Sequence, residues 1–365
     1  MILFASLFWD PKPEIFTVPF IHLPILWYGL FFAAGFMLGF PIFVAIVERF
    51  FIQRPDFEER ELIGDVDLPW LKDPIKRGKI AVVSALNEWL ATPPEMIEVN
   101  LSKKKSMLAQ CSIHTQEALR RLKLEELFPK AILSLRQQAV KVTDRLTVYM
   151  VIATVVGARF GHYLFYEKPS DYIHNLSELF GIWKMRGLSS HGAAIAIVLA
   201  LGLFAYRYRL TLRGLSWLHL LDFVCVPTAL AGAFIRVGNF FNQEILGTPS
   251  SMGWAVVFGH PADGSYPIPR HPVQLYEAVA YAIVFLILWR LTFHSKYLLG
   301  KGRLIGLFLA LVFGFRFVVE YWKEEQSLIM PSFFHLTMGQ ILSVPAVLVG
   351  LFLIARPVWS SRTQI

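Results

Sequence analysis

The sequence lacks several features that would assign it to a disulfide-stabilised or metal-dependent class. Only two of its 365 residues are cysteines, and Cys111 and Cys225 lie far apart in unlike contexts. This argues against a disulfide or a thiolate metal site. No Gly-Lys-Ser/Thr phosphate loop, His-Glu-x-x-His helix or Gly-x-Ser-x-Gly turn is present. Metal catalysis and nucleotide hydrolysis therefore have no support, and we expect no metal and no other cofactor.

Long apolar runs dominate the chain instead. It is 55% hydrophobic and 15% aromatic, and its mean hydropathy is +0.50. Runs of about twenty apolar residues are long enough to cross a bilayer. They predict an all-α integral membrane protein with seven transmembrane helices, at about residues 25–47, 145–166, 190–208, 217–236, 273–293, 303–322 and 338–355.

Basic residues indicate the orientation of these spans. The net charge of +8 could suggest nucleic acid, but many of the basic residues lie in loops beside the spans, so we expect no nucleic-acid partner. The loops after spans three, five and seven hold Arg207, Arg209, Arg213, Lys296, Lys301, Arg303, Arg356 and Arg362. The positive-inside rule makes these loops cytoplasmic. The N-terminus is then external and the C-terminus cytoplasmic.

Residues 53–142 break the apolar pattern. The stretch is polar, and near 107–141 leucines recur beside Glu and Arg as in a helix. We interpret it as a solvated cytoplasmic insert; the alternative is a helix that docks on the membrane surface or on a partner. The chain thus divides into an N-terminal segment with the first span (1–52), the insert (53–142) and spans two to seven (143–365).

Six ionisable side chains lie within or at the ends of the predicted spans, at similar depth in the outer half. They are Arg159, His191, Arg236, Glu277, Arg316 and Glu320. A charge inside a bilayer is costly and usually marks a functional site. Any one of them could instead be a paired structural charge. The set predicts an intramembrane reaction chamber open to the outer leaflet.

The densest polar stretch runs from Arg236 to Gly247 and includes Asn239 and Glu244. Glycine allows a backbone to approach a ligand closely, and amides can hydrogen-bond hydroxyls. The arginine fork matches phosphate. Arginines at headgroup depth therefore indicate an anionic phospholipid substrate; the alternative is a helix cap and turn.

His191 and Glu277 could each have a functional or a structural role. A histidine titrates near neutral pH and suits a general base at the membrane surface, although a single interfacial histidine is more often structural. Glu277 either takes part in the site or pairs structurally with an arginine. Two other function classes stay open: a transporter, which needs a polar path to both faces, and an intramembrane serine protease, for which the Ser189-Ser190 stretch is a weak signal.

Several motifs together resemble the prolipoprotein diacylglyceryl transferase family. They occur in the family's order and cover nearly the whole chain outside the insert: Trp27-Tyr28-Gly29, Gly157-Ala158-Arg159-Phe160-Gly161, His191-Gly192, Arg236 to Gly247, His271 to Glu277, Arg316 to Glu320, and Met338 to Ser343. The resemblance implies a bacterial inner-membrane enzyme with seven spans and a small periplasmic head at about 237–272. It also implies transfer of the diacylglyceryl group of phosphatidylglycerol to the lipobox cysteine of a prolipoprotein signal peptide, with glycerol phosphate released.

The resulting hypothesis assigns roles to ten residues. We expect His191, Arg236 and Arg316 to be catalytic, with His191 accepting the thiol proton or orienting a group that does. The expected substrate-binding residues are Arg236, Tyr28, Asn239, Glu244, Glu277, Arg159, Gly247 and Glu320. The chain departs from the family pattern in three places. Ala193 replaces a glycine after His191-Gly192, the stretch Val312-Phe-Gly-Phe lacks a tyrosine that is common there, and Lys323 replaces an arginine.

Overall fold

The computed structural model describes residues 7–20, 23–53, 135–166, 189–209, 212, 214–294, 299–324 and 336–356. Its helices are α1 (Trp27–Ile52), α2 (Leu135–Tyr166), α3 (Ser190–Arg207), α4 (Trp217–Phe241), α5 (Val273–His294), α6 (Arg303–Val319) and α7 (Met338–Ala355). A 3-10 turn, Glu320–Trp322, follows α6. Its strands are β1 (Leu7–Trp9), β2 (Glu14–Val18), β3 (Leu23–Leu26), β4 (Val256–Phe258) and β5 (Pro269–Arg270).

Five of the described helices are long and apolar enough to cross a membrane: α1, α4, α5, α6 with its 3-10 turn, and α7. Helices α2 and α3 are not among these five candidates. In the described part of α3, His191–Arg207 is a shorter apolar helix, and α2 begins with a polar stretch that includes Arg136 and Lys141. The described part of the chain is therefore a mostly helical protein with at least five candidate spans, and the count of seven stays a prediction.

Several helices extend beyond the predicted spans. Helix α4 ends at Phe241 rather than at Arg236, α1 ends at Ile52 rather than at 47, and α2 begins at Leu135 rather than at 145. Hydropathy marks the apolar part of a helix, whereas backbone hydrogen bonds continue through polar residues. The start of α2 covers 135–142, which the prediction gave to the insert; the remainder of the insert, 54–134, lies outside the described residues.

Short strands modify the expected all-α fold. Strand β4 pairs in parallel with β1, with Leu7 opposite Val256, and antiparallel with β5. Strands β2 and β3 form a separate antiparallel pair that leads directly into α1. Strands of two to five residues are too short for an alternating apolar pattern to identify them.

A small apolar core joins this sheet to the end of α4. Phe240, Leu246, Val256 and Phe258 are buried together, and Trp9 packs against them. The Trp9 indole nitrogen also donates to the carbonyl of Phe240 at 3.2 Å. The extra turn and a half of α4 beyond Arg236 therefore carries the aromatic residue on which the sheet packs.

The described residues within 1–43 and 218–365 form one compact unit, and those within 44–217 form a second. In the first unit, Asp222 of α4 accepts hydrogen bonds from the backbone N–H groups of Gly302 and Ile305, both at 2.9 Å. This carboxylate therefore satisfies free donors at the N-terminus of α6. Helices α6 and α7 approach closely at Gly306 and Gly350, where an added Cβ would meet the partner backbone at less than 3.0 Å.

Helices α2 and α3 form the helix pair of the second unit and meet at three glycines. A Cβ on Gly161 would lie 2.5 Å from the Cα of Gly192, and one on Gly192 would collide with the carbonyl of Gly157. Ser189 caps α3 by accepting from the N–H of Gly192 at 3.2 Å, and its own N–H donates to Ala158 at 2.9 Å. Small residues thus let two helix backbones touch beside Arg159 and His191.

Candidate functional site

Arg236 and Glu277 form a buried ion pair between α4 and α5. The Arg236 Nε lies 3.0 Å from Glu277 Oε2, and the two side chains are 13% and 0% exposed. Because α4 continues to Phe241, Arg236 lies inside a helix and is held rigidly rather than at a frayed end. The predicted pairing of Glu277 with an arginine is confirmed.

The polar stretch after Arg236 folds back on it. Asn239 accepts from Arg236 Nη1 at 3.2 Å and donates to Glu244 Oε1 at 2.7 Å. Gln243 and Ile245, on either side of Glu244, adopt left-handed backbone conformations with φ of 52° and 57°. Such conformations are uncommon for residues other than glycine, cost free energy and often occur at functional sites. Here they accompany the turn that brings Glu244 back to Asn239.

Two glycines allow close contacts around this turn. A Cβ on Gly238 would lie 3.0 Å from the ring of Tyr28, so the glycine lets Tyr28 of α1 pack against α4. A Cβ on Gly247 would collide with the backbone of His271. The carbonyl of Gly247 also accepts from Arg270 Nη1 at 3.1 Å. Four predicted residues, Tyr28, Asn239, Glu244 and Gly247, therefore lie around the end of α4 that carries Arg236.

Lys323 extends the ion pair into a network and was not among the predicted site residues. Its Nζ donates to Glu277 Oε1 at 2.9 Å and lies 3.3 Å from Glu320 Oε2. The lysine and Glu320 side chains are 7% and 15% exposed. The spacing could have indicated this contact, because Lys323 follows Glu320 by three residues, a separation at which opposite charges can pair. From the family pattern alone, Lys323 is only a replacement for an arginine.

Glu320 lies against the start of α7. A Cβ on Gly339 would overlap the Glu320 carboxylate, so only a glycine leaves room for it. The first turn of α7 has its own capping box, in which Thr337 and Gln340 bond reciprocally. Gln340 also donates to the carbonyl of Phe317 at 3.3 Å. The Met338–Ser343 motif therefore packs on the end of α6 that carries Glu320.

Arg316 lies on α6, and its Nε is buried without a hydrogen-bond partner among the residues that the structure describes. Those residues also provide no carboxylate within ion-pair distance of it. Its charge is close enough to act on Tyr281, whose hydroxyl donates to Glu277 Oε1 at 3.3 Å. Tyr281 was not predicted either, although it follows Glu277 by one helical turn. Arg316 is thus a half-buried cation whose buried Nε has unused capacity to bind an anion.

Arg159 and His191 belong to the second unit. The Arg159 guanidinium lies over the ring of Tyr163, 4.8 Å from its centroid, and His191 is partly exposed in the first turn of α3. The contact of Gly157 and Gly161 with Gly192 fixes both residues on one pair of helices. Their convergence with Arg236, and the catalytic role of His191, stay predictions.

The described residues contain no group of three His, Cys, Asp or Glu side chains placed to hold a metal ion. The polar groups that the structure places at the site are guanidinium, ammonium, carboxylate and amide groups. Arg236 on α4 is held by Glu277, and Arg316 on α6 has no carboxylate partner among the described residues. Two such guanidinium groups suit the binding of a phosphate.

Comparison with known proteins assigns the chain to a family. The model of a family described as prolipoprotein diacylglyceryl transferase matches residues 123–356. A phosphatidylglycerol–prolipoprotein diacylglyceryl transferase of Protochlamydia amoebophila is 39% identical over an alignment of 361 residues, and the match covers 96% of this chain and 95% of that relative. That match extends through most of residues 53–142.

Shorter matches agree. Proteins of the same description from Tolumonas auensis and Chlamydia pneumoniae are 43% and 38% identical over 210 and 211 residues. Each match covers 58% of this chain, and 77% and 73% of the two relatives. The chain belongs to the prolipoprotein diacylglyceryl transferase family.

Proposed function

We propose that this chain transfers the diacylglyceryl group of phosphatidylglycerol to the lipobox cysteine of prolipoproteins, the first step of lipoprotein maturation. The family membership supports the transferase activity. The observation that carries the chemistry is the buried Arg236–Glu277 pair beside Arg316, because the substrate lipid is anionic and its leaving group is a phosphate monoester.

The membrane arrangement belongs to the same proposal. Seven spans place the N-terminus in the periplasm and the C-terminus in the cytoplasm of the bacterial inner membrane. The head at about 237–272 then lies in the periplasm, and residues 53–142 lie in the cytoplasm. The five apolar helices among the described residues support the multi-pass part of this arrangement, and the basic loops support its orientation.

The reaction forms one bond and breaks one. A thiol with a pKa near 8.5 is mostly protonated at neutral pH, and its thiolate is the nucleophile. His191 accepts the thiol proton. The thiolate sulfur then attacks the glyceryl carbon that bears the phosphate, a C–S thioether bond forms, and the C–O bond breaks. Its electron pair stays on the departing phosphate oxygen of glycerol phosphate.

Negative charge on the departing phosphate is stabilised by fixed cations. Glu277 holds the Nε side of the Arg236 guanidinium and Asn239 holds its Nη1 side, so this donor is oriented before the lipid arrives. Preorganised donors in a low-dielectric site cost no reorganisation during the reaction. Arg316 provides a second guanidinium. Tyr28, Asn239 and Glu244 position the glycerol headgroup.

The test is direct conversion of a lipobox peptide. Purified wild-type protein, incubated with phosphatidylglycerol and the peptide, should add one diacylglyceryl mass to the cysteine. Arg236→Ala should lower the rate by about 100- to 1000-fold, the usual cost of one such donor. Arg290→Ala, an exposed arginine near the other end of α5, serves as the matched control and should keep its rate.

The proposal fails if wild-type protein leaves the peptide mass unchanged while phosphatidylglycerol is present. Near-normal transfer by folded Arg236→Ala would keep the reaction but remove the phosphate clamp. Arg236→Lys distinguishes charge from geometry: an ammonium keeps the charge but cannot engage Glu277 and Asn239 from two sides of one plane. We expect it to restore only a small part of the lost rate.

A further inference from the structure

Lys323 contacts two carboxylates at once, the fully buried Glu277 and the mostly buried Glu320. Its ammonium is 2.9 Å from Glu277 Oε1 and 3.3 Å from Glu320 Oε2. The other oxygen of Glu277 faces Arg236 at 3.0 Å. Positive and negative groups therefore alternate in the order of contacts: Arg236 contacts Glu277, Glu277 contacts Lys323, and Lys323 contacts Glu320.

The backbone of Lys323 is fixed by the polar turn that follows Arg236. Lys323 forms an isolated antiparallel bridge with Gly247. On either side of it, the N–H of Thr248 donates to Trp322 at 2.8 Å and the N–H of Glu324 donates to Leu246 at 3.0 Å. The backbone of Lys323 is thus bound to residues 246–248, while its side chain reaches the ion pair on α4 and α5.

The arrangement has an electrostatic consequence for Arg236. Glu277 is fully buried and divides its negative charge between two cations, Arg236 and Lys323. If the ammonium were absent, Arg236 alone would balance the negative charges of both Glu277 and Glu320, and less of its positive charge would be left to attract a phosphate. Glu277 and Glu320 would also become two close carboxylates without the cation between them, which is costly away from water.

We propose that Lys323 is a positioning residue of the transfer site: by occupying one oxygen of Glu277 and one of Glu320, it leaves the positive charge of Arg236 available to the lipid phosphate. This inference rests on the proposed function and adds to it a residue that contacts no substrate. Lys323 acts through Arg236, on the charge that develops as the phosphate leaves. Its effect therefore falls on kcat more than on the KM for phosphatidylglycerol.

The first measurement compares single variants of the full-length protein in mixed micelles of detergent and phosphatidylglycerol. Lys323→Met removes the charge but keeps most of the apolar stem, and we expect kcat to fall about 30-fold with KM changed less than about threefold. Lys323→Arg keeps the charge and should stay within about fivefold of wild type. Lys12→Met removes the charge of an exposed lysine and should change neither constant.

The second measurement separates charge balance from a purely structural role. Lys323→Met/Glu320→Gln removes one positive and one negative charge, so Arg236 and Glu277 again form a balanced pair. We expect the double variant to turn over at least about tenfold faster than Lys323→Met. A lysine that only holds the fold would give two losses that add, and the double variant would be no faster than Lys323→Met.

Thermal unfolding of each variant shows whether it is folded, and a rate is interpreted only for a folded variant. A folded Lys323→Met that keeps kcat within threefold of wild type overturns the inference, as does a folded double variant no faster than Lys323→Met. If Lys323→Met does not fold, a double variant that folds and turns over at a tenth of the wild-type rate or more supports the inference. Any other outcome of that variant overturns it. Wild-type protein without transfer refutes the proposed function instead, so the two failures are distinguishable.

Discussion

Gly192→Ala should disturb the α2–α3 contact beside His191 more than its small size suggests. A Cβ at this position would lie 2.6 Å from the Cα of Gly161 and closer still to the carbonyl of Gly157, whereas ordinary contacts begin near 3.4 Å. Both obstacles are backbone atoms, which cannot rotate away. The two helices would therefore have to separate by about 0.8 Å or more at this point.

Gly192→Ala should lower both the stability of the protein and the rate of transfer. Overpacking a close contact typically costs about 1–3 kcal/mol. His191 is the adjacent residue, and Arg159 lies between Gly157 and Gly161, so a shift of this size changes the relation of two proposed site residues. Misplacement by about 1 Å can cost on the order of 100-fold in rate. We expect transfer to fall about 10- to 100-fold.

Gly202→Ala is the matched control on the same helix. Its added Cβ would lie 3.8 Å from the indole nitrogen of Trp217, which is ordinary contact. The same chemical change should therefore leave transfer unaltered and should not lower the unfolding temperature. The two variants are compared by peptide mass for the rate and by thermal unfolding in detergent for stability. Equal rates and equal unfolding temperatures for Gly192→Ala and Gly202→Ala would refute the reasoning.

Four further predictions follow from the site and from the sheet. Glu277→Gln keeps the shape of a fully buried side chain but leaves Arg236 and Lys323 without their shared carboxylate; we expect a loss of about 3 kcal/mol, read as a lower unfolding temperature. Gly339→Ala should displace the Glu320 carboxylate and lower transfer, whereas Gly314→Ala, whose added Cβ meets nothing within 4 Å, should not. The hydrogen bond to His260 lowers the pKa of Asp10, so its stabilising contribution is present above the ordinary value of 3.8 and is lost as pH falls through the lowered value. Asp10→Asn should abolish this acid-dependent part of the stability, measured as the unfolding temperature at a series of pH values. If His191 is the base, we expect the wild-type pH–rate profile to fall on its acidic side and the profile of His191→Gln to lack that fall; two profiles of equal height and shape would exclude the role.

The sequence predicted the parts of the site that are local. Arg236, Asn239 and Glu244 lie within nine residues, so a helix end and a turn necessarily keep them close, and the structure joins them by hydrogen bonds. The pairing of Glu277 with an arginine followed from the cost of a carboxylate within a span. Five of the helices followed from hydropathy, because an apolar run of span length has few other stable forms.

What the sequence did not predict depends on residues that are distant in the chain or on short elements. Lys323 reaches Glu277 from 46 positions away, after a 3-10 turn that no periodic pattern indicates. The end of α4 was placed at Arg236 because polar residues begin there, although the helix continues for more than one turn. The third departure from the family pattern, Lys323, was a substitution within an ion network, and only its neighbours in space reveal that.

The parallel pairing of β1 with β4 sets the order in which the chain can be completed. Trp9 and the carbonyl that it contacts are 231 residues apart. The sheet therefore cannot close until α1 to α4 and the segment after them have been made. Until then the N-terminal strand has no partner in the sheet, and an unpaired strand is a site for mistaken association. A fusion or cleavage at the N-terminus that disturbs β1 would thus leave the edge of β4 unpaired. The defect would arise late in synthesis, when β4 forms, and not when α1 forms.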